Sequence, residues 1–221
     1  MAGSARVVRT VATATSVAYG GLLLAFGQTP TGGAKQAVAY LPAAAGLLAV
    51  LWDASAWHWP GLRRLAKRPV VYGTWAAVLS PSADSCIPGG GNRGPIKAFV
   101  VIVQTFWSVH VTLHTAESTS RSTAASLRDL GGGQQGLAYT YGNTPRQEHL
   151  HRSPKHAGAS DLIVVGTAPE EITGMYWTDR LTHGDMDLVL VDRKTDRPNF
   201  AACAAAAAAA RLRRQTMLPT R

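Results

Sequence analysis

The stretch GMYWTDRLTHGDM, residues 174–186, reads as a strand followed by a turn, and it decides how the middle of the chain is understood. Side chains of an extended segment alternate between two faces, so Tyr176, Thr178 and Arg180 share one face and Met175, Trp177 and Asp179 the other. Neither row is simply apolar. A strand that aims a phenol, a hydroxyl and a guanidinium the same way either edges into water or lines an enclosed polar interior.

The same texture begins after Pro69: short runs rich in Val, Ile, Thr and aromatic residues, broken by Gly, Pro, Asn and Asp. The runs cover 70–80, 96–105, 106–116, 120–129, 136–143, 159–168, 171–180 and 185–193. Eight strands with short connections and no helical period predict an all-β fold over residues 69–193, an eight-stranded up-and-down β-barrel. Closure removes the edges that an open antiparallel sheet of this size would expose. The stretches SPSADSCIPGGGNRGP and TPRQEHLHRSPKHAG read as loops.

Net charge of the whole chain is +9, which alone would suggest a nucleic-acid binder. The distribution says otherwise. Residues 69–192 carry eight Lys/Arg against eleven Asp/Glu, a net charge of −3, so the predicted barrel is no surface for DNA or RNA. The excess lies in Arg6 and Arg9, in Arg63, Arg64, Lys67 and Arg68, and in Arg211, Arg213 and Arg214. Cys86 and Cys203 show neither metal-knuckle nor redox-pair spacing.

Residues 1–62 read as an N-terminal helical hairpin. Its two apolar segments, about 7–27 and 37–57, are each near the length that crosses a bilayer, and GQTPTGGAKQ forms a polar turn between them. A cleaved signal peptide leaves the second segment without a role, and a buried helical pair on a soluble domain is the other alternative. The expectation is a transmembrane hairpin, with basic residues at its outer ends placing the barrel and both termini in the cytoplasm. Trp52, Trp57 and Trp59 would form an interfacial aromatic belt, and Gly20, Gly21, Ala43, Ala44, Ala45 and Gly46 would let helices approach closely. Residues 194–221 form a low-complexity Ala/Arg-rich tail, whose alanine tract suits a short helix.

Catalysis is not expected. His110 and His114 share a strand face but stand roughly 13 Å apart, too far to chelate one ion. His149, His151 and Glu148 are the weak case for a loop metal site, and no nucleophile elbow, P-loop or catalytic carboxylate pair appears. Parity sketches a graded wall instead. Val71, Gly73, Trp75, Ala77 and Leu79 fall together, as do Leu137, Tyr139, Tyr141 and Asn143, and as do Ile172, Gly174, Tyr176, Thr178 and Arg180. An apolar floor beneath an aromatic, polar mouth suits a small anion with flat bases, since rings stack on Tyr or Trp and phosphates pair with Arg.

The segments GTW (73–75), QTFWSVHVTL (104–113), ESTSRS (117–122), LAYTYGNTP (137–145), HAG (156–158) and GMYWTDRLTHGDM carry a family resemblance. In order across residues 69–192, they resemble the CD-NTase-associated membrane effectors of bacterial CBASS anti-phage operons. These are transmembrane β-barrel proteins that sense cyclic nucleotides. The resemblance implies a two-helix anchor in the bacterial inner membrane and a cytosolic lipocalin-like barrel. It further implies a cyclic dinucleotide ligand made by a partner CD-NTase, no cofactor, homo-oligomerisation, and disruption of the inner membrane, with its lipids as a partner, in abortive infection. Motif and parity together give the candidate ligand contacts: Arg180, Tyr176, Thr178, Tyr139, Tyr141, Ser118, Ser120, Gln104 and Trp75. The glycine-rich loop at 89–94 and the alanine tail depart from the family pattern. A tethered barrel that carries a hydrophobic ligand, or acts as a scaffold, is the alternative, and it calls for a uniformly apolar interior.

Overall fold

A computed structural model describes residues 2–25, 33–87, 89, 91–151 and 153–217. The chain divides into two units: residues up to Arg68 together with Thr105–Ser108, and Pro69–Gln104 together with Val109–Arg221.

In the first unit, α1 (Ala2–Ala25) and α2 (Gly33–Ala54) pair as a helical hairpin, followed by a 3₁₀ turn at Ala56–His58 and the short α3 (Arg63–Ala66). Gly46 of α2 lies against Ser16 of α1, where any Cβ would collide with the serine side chain. The hairpin has the expected pairing but not the expected apolarity: among the described residues no helix is long and apolar enough to cross a membrane. Ala, Thr, Ser and Gly dilute the larger side chains. The connecting residues 26–32 and the side chains of Arg6, Arg9 and Lys35, on which the orientation argument leans, lie outside the described residues.

The aromatic belt is also corrected. Trp57 is fully buried and Trp52 stacks edge-on to Phe106 at 5.5 Å, which leaves Trp59 as the exposed member. Asp53, fully buried, accepts a hydrogen bond from the Trp107 backbone N–H at 3.0 Å, and its carbonyl accepts from Phe106 N at 3.1 Å. The FWS of the motif therefore forms a turn, not the start of a strand.

The second unit is a closed antiparallel barrel with strands in sequence order. Its strands are β1 (Gly73–Pro81), β2 (Ile96–Gln104), β3 (Val109–Thr115), β4 (Ser118–Gly131), β5 (Gln134–Pro145), β6 (His156–Val165), β7 (Glu171–Thr178) and β8 (His183–Asp192). β1 closes on β8, with Trp75 opposite Leu190 and Leu79 opposite Met186. Gly73 adopts φ +138°, which L side chains rarely adopt, and a Cβ there would run into the Asp192 carbonyl. This is the physical content of the Gly-x-Trp signature: the glycine permits the irregular closure between β1 and β8 at Thr74 and Trp75.

Inward-facing Trp75, Val100, Ile102, Val111, Leu137, Leu162, Val164, Ile172 and Leu188 fill one end of the interior as a continuous core. That end is sealed by polar groups. The Arg193 guanidinium donates to the carbonyls of Val70 (2.8 Å), Tyr72 (3.1 Å) and Pro169 (2.9 Å) and lies over Trp75, 5.6 Å from the ring centroid. The Gln104 side chain accepts from Val71 N at 2.8 Å and donates to the Pro69 carbonyl at 2.8 Å. The tail forms α4 (Phe200–Met217), which packs Phe200 against Phe99 at 5.2 Å and buries Cys203.

Replacing Arg193 with Ala leaves three backbone carbonyls just ahead of β1 and β7 without their charged donor, a loss of about 1.5–3 kcal/mol for a hydrogen-bonding charged group. Denaturant unfolding of the Arg193→Ala variant is expected to show that loss at unchanged m-value; an unshifted midpoint would refute the sealing role.

Candidate functional site

The other end of the barrel is hollow. A cavity of about 430 Å³ opens there, bounded by the late residues of β1, β3, β5 and β7 and the early residues of β2, β4, β6 and β8. Its size lies within the range of roughly 300–1,000 Å³ typical of small-molecule sites.

Seven of the nine candidate residues lie in its wall: Arg180, Tyr176, Thr178, Tyr139, Tyr141, Ser118 and Ser120. β7 presents Tyr176 and Thr178 inward, while Met175 and Trp177 are exposed on the outside. The row with Tyr176 and Thr178 thus faces an interior, and the row with Met175 and Trp177 faces out. Arg180 is not in β7, which ends at Thr178. It sits in the following turn, which is held by Thr178 Oγ1 against Thr182 Oγ1 at 2.6 Å.

Trp75 and Gln104 are corrected. Both point inward, but at the sealed end: Trp75 is fully buried with Nε1 donating to the Val71 carbonyl at 3.0 Å, and Gln104 is spent on the backbone of residues 69–72. Parity specifies which face a side chain takes and leaves its depth along the barrel open.

The walls are organised by small polar contacts. Asn143 of β5 donates from Nδ2 to both Ser118 Oγ and Ser120 Oγ of β4, each at 2.9 Å, which fixes the serines toward the cavity. Asn143 was not among the candidates, although the fifth-strand row contained it. Tyr139 and Tyr141 stack tilted at 5.9 Å, and Tyr139 Oη lies 3.8 Å from Met186 Sδ on the cavity floor. Gly158 of the HAG motif faces Tyr141 across the sheet, and a Cβ there would stand 2.5 Å from the phenol ring. The glycine makes room for that ring.

Burial pushes the Tyr139 phenol up to about 12 and raises those of Tyr141 and Tyr176, so all three remain protonated donors at neutral pH. Arg180 Nη1 donates to Ser153 Oγ at 3.3 Å, and among the described residues no carboxylate pairs with this guanidinium. A partly enclosed cation facing hydroxyls and phenols in a cavity is equipped to meet an anion. The loop histidines assemble no metal-holding group among the described residues.

Comparison with known proteins agrees with this geometry. Residues 66–189 match the family described as "Cap15, cyclic dinucleotide receptor domain". The chain belongs to the Cap15 family. It is also similar to "CD-NTase-associated protein 15" of Staphylococcus schleiferi, 33% identical over 132 residues. That alignment spans 60% of this chain and 66% of the relative. The Cap15 receptor domain therefore comprises the barrel from just before β1 to within β8, and it contains the whole cavity wall apart from Phe200.

Two expected outcomes follow for the receptor domain. Gly158→Val drives a branched Cβ into the Tyr141 ring and is expected to alter the near-ultraviolet tyrosine signal and weaken ligand binding by about tenfold or more; an unchanged spectrum would contradict the packing role. His114 and His156 are both held below the usual imidazole range, chiefly by burial, with Arg121 and Arg180 respectively adding to the effect. The unfolded chain therefore binds more protons. Their stabilising contribution is full above about pH 6.5 and declines as pH falls through that value toward the folded pKa. Thermal midpoints recorded from pH 8 to pH 5 should fall on acidification, less steeply in a His114→Gln, His156→Gln double variant.

Proposed function

We propose that this chain is the effector of a CBASS anti-phage system. Its barrel captures a cyclic dinucleotide made by a partner CD-NTase, and ligand binding promotes homo-oligomerisation that disrupts the bacterial inner membrane. The single observation that carries the reading is Arg180: a guanidinium on the rim of a phenol- and hydroxyl-lined cavity, without a carboxylate partner among the described residues. Family membership supplies the ligand class.

In this reading the phosphodiester anions face Arg180 and the hydroxyls of Ser118, Ser120 and Thr178. The bases lie against Tyr139, Tyr141 and Tyr176, whose raised phenol pKa values keep them uncharged beside the ligand. The barrel binds its messenger without turning it over.

Membrane action belongs to the helical unit. Val17, Leu22 and Leu24 of α1 and Leu41, Leu47, Leu48 and Leu51 of α2 are exposed, and burying them between protomers and lipid favours association. The inner membrane is the proposed location. A hydrophobic ligand is the weaker reading, because the wall presents three serines, two asparagines, three threonines and an arginine to the cavity.

Native mass spectrometry of the protein against a panel of cyclic dinucleotides and a long-chain fatty acid separates the readings. A nucleotide adduct is expected with no fatty-acid adduct, and the reverse pattern would sink the messenger reading. Arg180→Ala is expected to weaken nucleotide binding by about 10- to 100-fold, as loss of a charge-assisted contact does, with an unchanged thermal midpoint.

A further inference from the structure

β4 is fourteen residues long, while β3, its neighbour on one side, has seven. β5 pairs with β4 along its whole length, from Ser118 opposite Pro145 to Gly131 opposite Gln134. β3 pairs with β4 only through Thr119, Ser120 and Arg121. The ladder stops for a local reason. A bulge falls between Ser122 and Ala124, and the Ser122 hydroxyl accepts from Val111 N at 3.0 Å and lies 2.9 Å from His110 Nδ1. A side chain has taken the place of the next backbone partner. Beyond it no backbone hydrogen bond outside the β5 ladder involves residues 123–130 among the described residues.

We infer that the free edge of β4 is a strand-addition edge that pairs through Ala124–Arg128 with the same five residues of a second copy of this chain. An unpaired strand edge is a row of N–H and C=O groups that a further strand satisfies, and in a closed barrel every other strand has both neighbours. A second copy brings an edge of the same length and chemistry.

The segment is complementary to itself about a two-fold axis at Ser126. Antiparallel pairing there sets Ser126 opposite the Ser126 of the second copy, Leu127 opposite its Ala125, and Arg128 opposite its Ala124. No like charges are opposed. Arg128 is also neutralised on its own sheet by Asp161, at 2.5 Å. Leu127 and Ala125 are partly buried against the barrel core, so the pair would extend an apolar row from one barrel into the next.

This inference rests on the proposed function only in giving assembly a purpose; the edge itself is a property of the barrel. The test uses the full chain in mild detergent, carrying Cys86→Ser to remove the exposed thiol, with self-association followed by sedimentation with and without cyclic dinucleotide. Ser126→Asp places like charges across the axis and is expected to weaken self-association by about tenfold or more. Ser126→Lys should do the same, and mixing the two variants should restore it. Ser126→Cys should form a disulfide-linked dimer on mild oxidation.

Nucleotide affinity, measured separately by calorimetry, is expected to be unchanged in the Ser126→Asp monomer, so failure to bind nucleotide and failure to pair are read independently. Self-association of Ser126→Asp equal to that of the parent, or no recovery in the Asp and Lys mixture, would overturn the edge.

Discussion

The volume inside an eight-stranded barrel is the constraint on which the rest depends. Eight strands enclose a lumen just wide enough either to be filled by side chains or to hold one small ligand. This chain divides the lumen along its axis: aliphatic side chains and Trp75 fill one half, and hydroxyls, phenols and an amide line the other. The division requires that the filled end be closed, because carbonyls where strands finish and loops cross would otherwise be buried without donors. Arg193 and Gln104 supply those donors from the side chains of β8's exit and β2's end.

That division has an electrostatic consequence. Apart from Lys97, Glu117, Arg180 and the imidazoles of His149 and His156, the wall is neutral: phenols held protonated by burial, serine, threonine and asparagine side chains, and apolar residues. An anion entering meets donors without meeting carboxylates, except Glu117 near the mouth. Arg180 stands beside water-poor surroundings where a charge-assisted bond is stronger than on an open surface. Partial enclosure matters more here than the number of cations.

The barrel was legible because its signals are local and repeated: β-branched runs bounded by turn residues, and a glycine two residues before a tryptophan. Strand ends were less so. β4 begins at Ser118 and β6 at His156, two and three residues earlier than expected, because cross-strand pairing with β5 continues beyond the residues of high strand propensity. Of the seven candidate residues that line the cavity, period-two alternation fixes the face of Tyr139, Tyr141, Tyr176 and Thr178, whereas Arg180 reaches it from the turn after β7. Trp75 and Gln104 obey the same alternation at the wrong depth, which depends on barrel shear and has no local signature. Arg193 was invisible for a related reason: its role arises from carbonyls more than twenty and more than a hundred residues away in sequence. The helices were legible as helices, and span length misled because length does not measure how apolar the side chains are.

The cavity and the free edge share one strand. Ser118 and Ser120, fixed by Asn143, lie in the half of β4 that β3 covers, and Ala124–Leu130 lies in the half it leaves. The bulge at Ser122 separates them. Under the proposed function, a ligand promotes assembly only by binding the assembled state more tightly than the single chain, and assembly then raises ligand affinity by the same factor. A factor of 100 corresponds to about 2.7 kcal/mol, which is within what one charge-assisted contact and two stacked bases provide. Such a difference requires an element whose geometry both events set. β4 is the element in position to be that one: its first residues touch the ligand site, its last residues present the edge, and the bulge between them is where a change in twist at one half alters the presentation of the other.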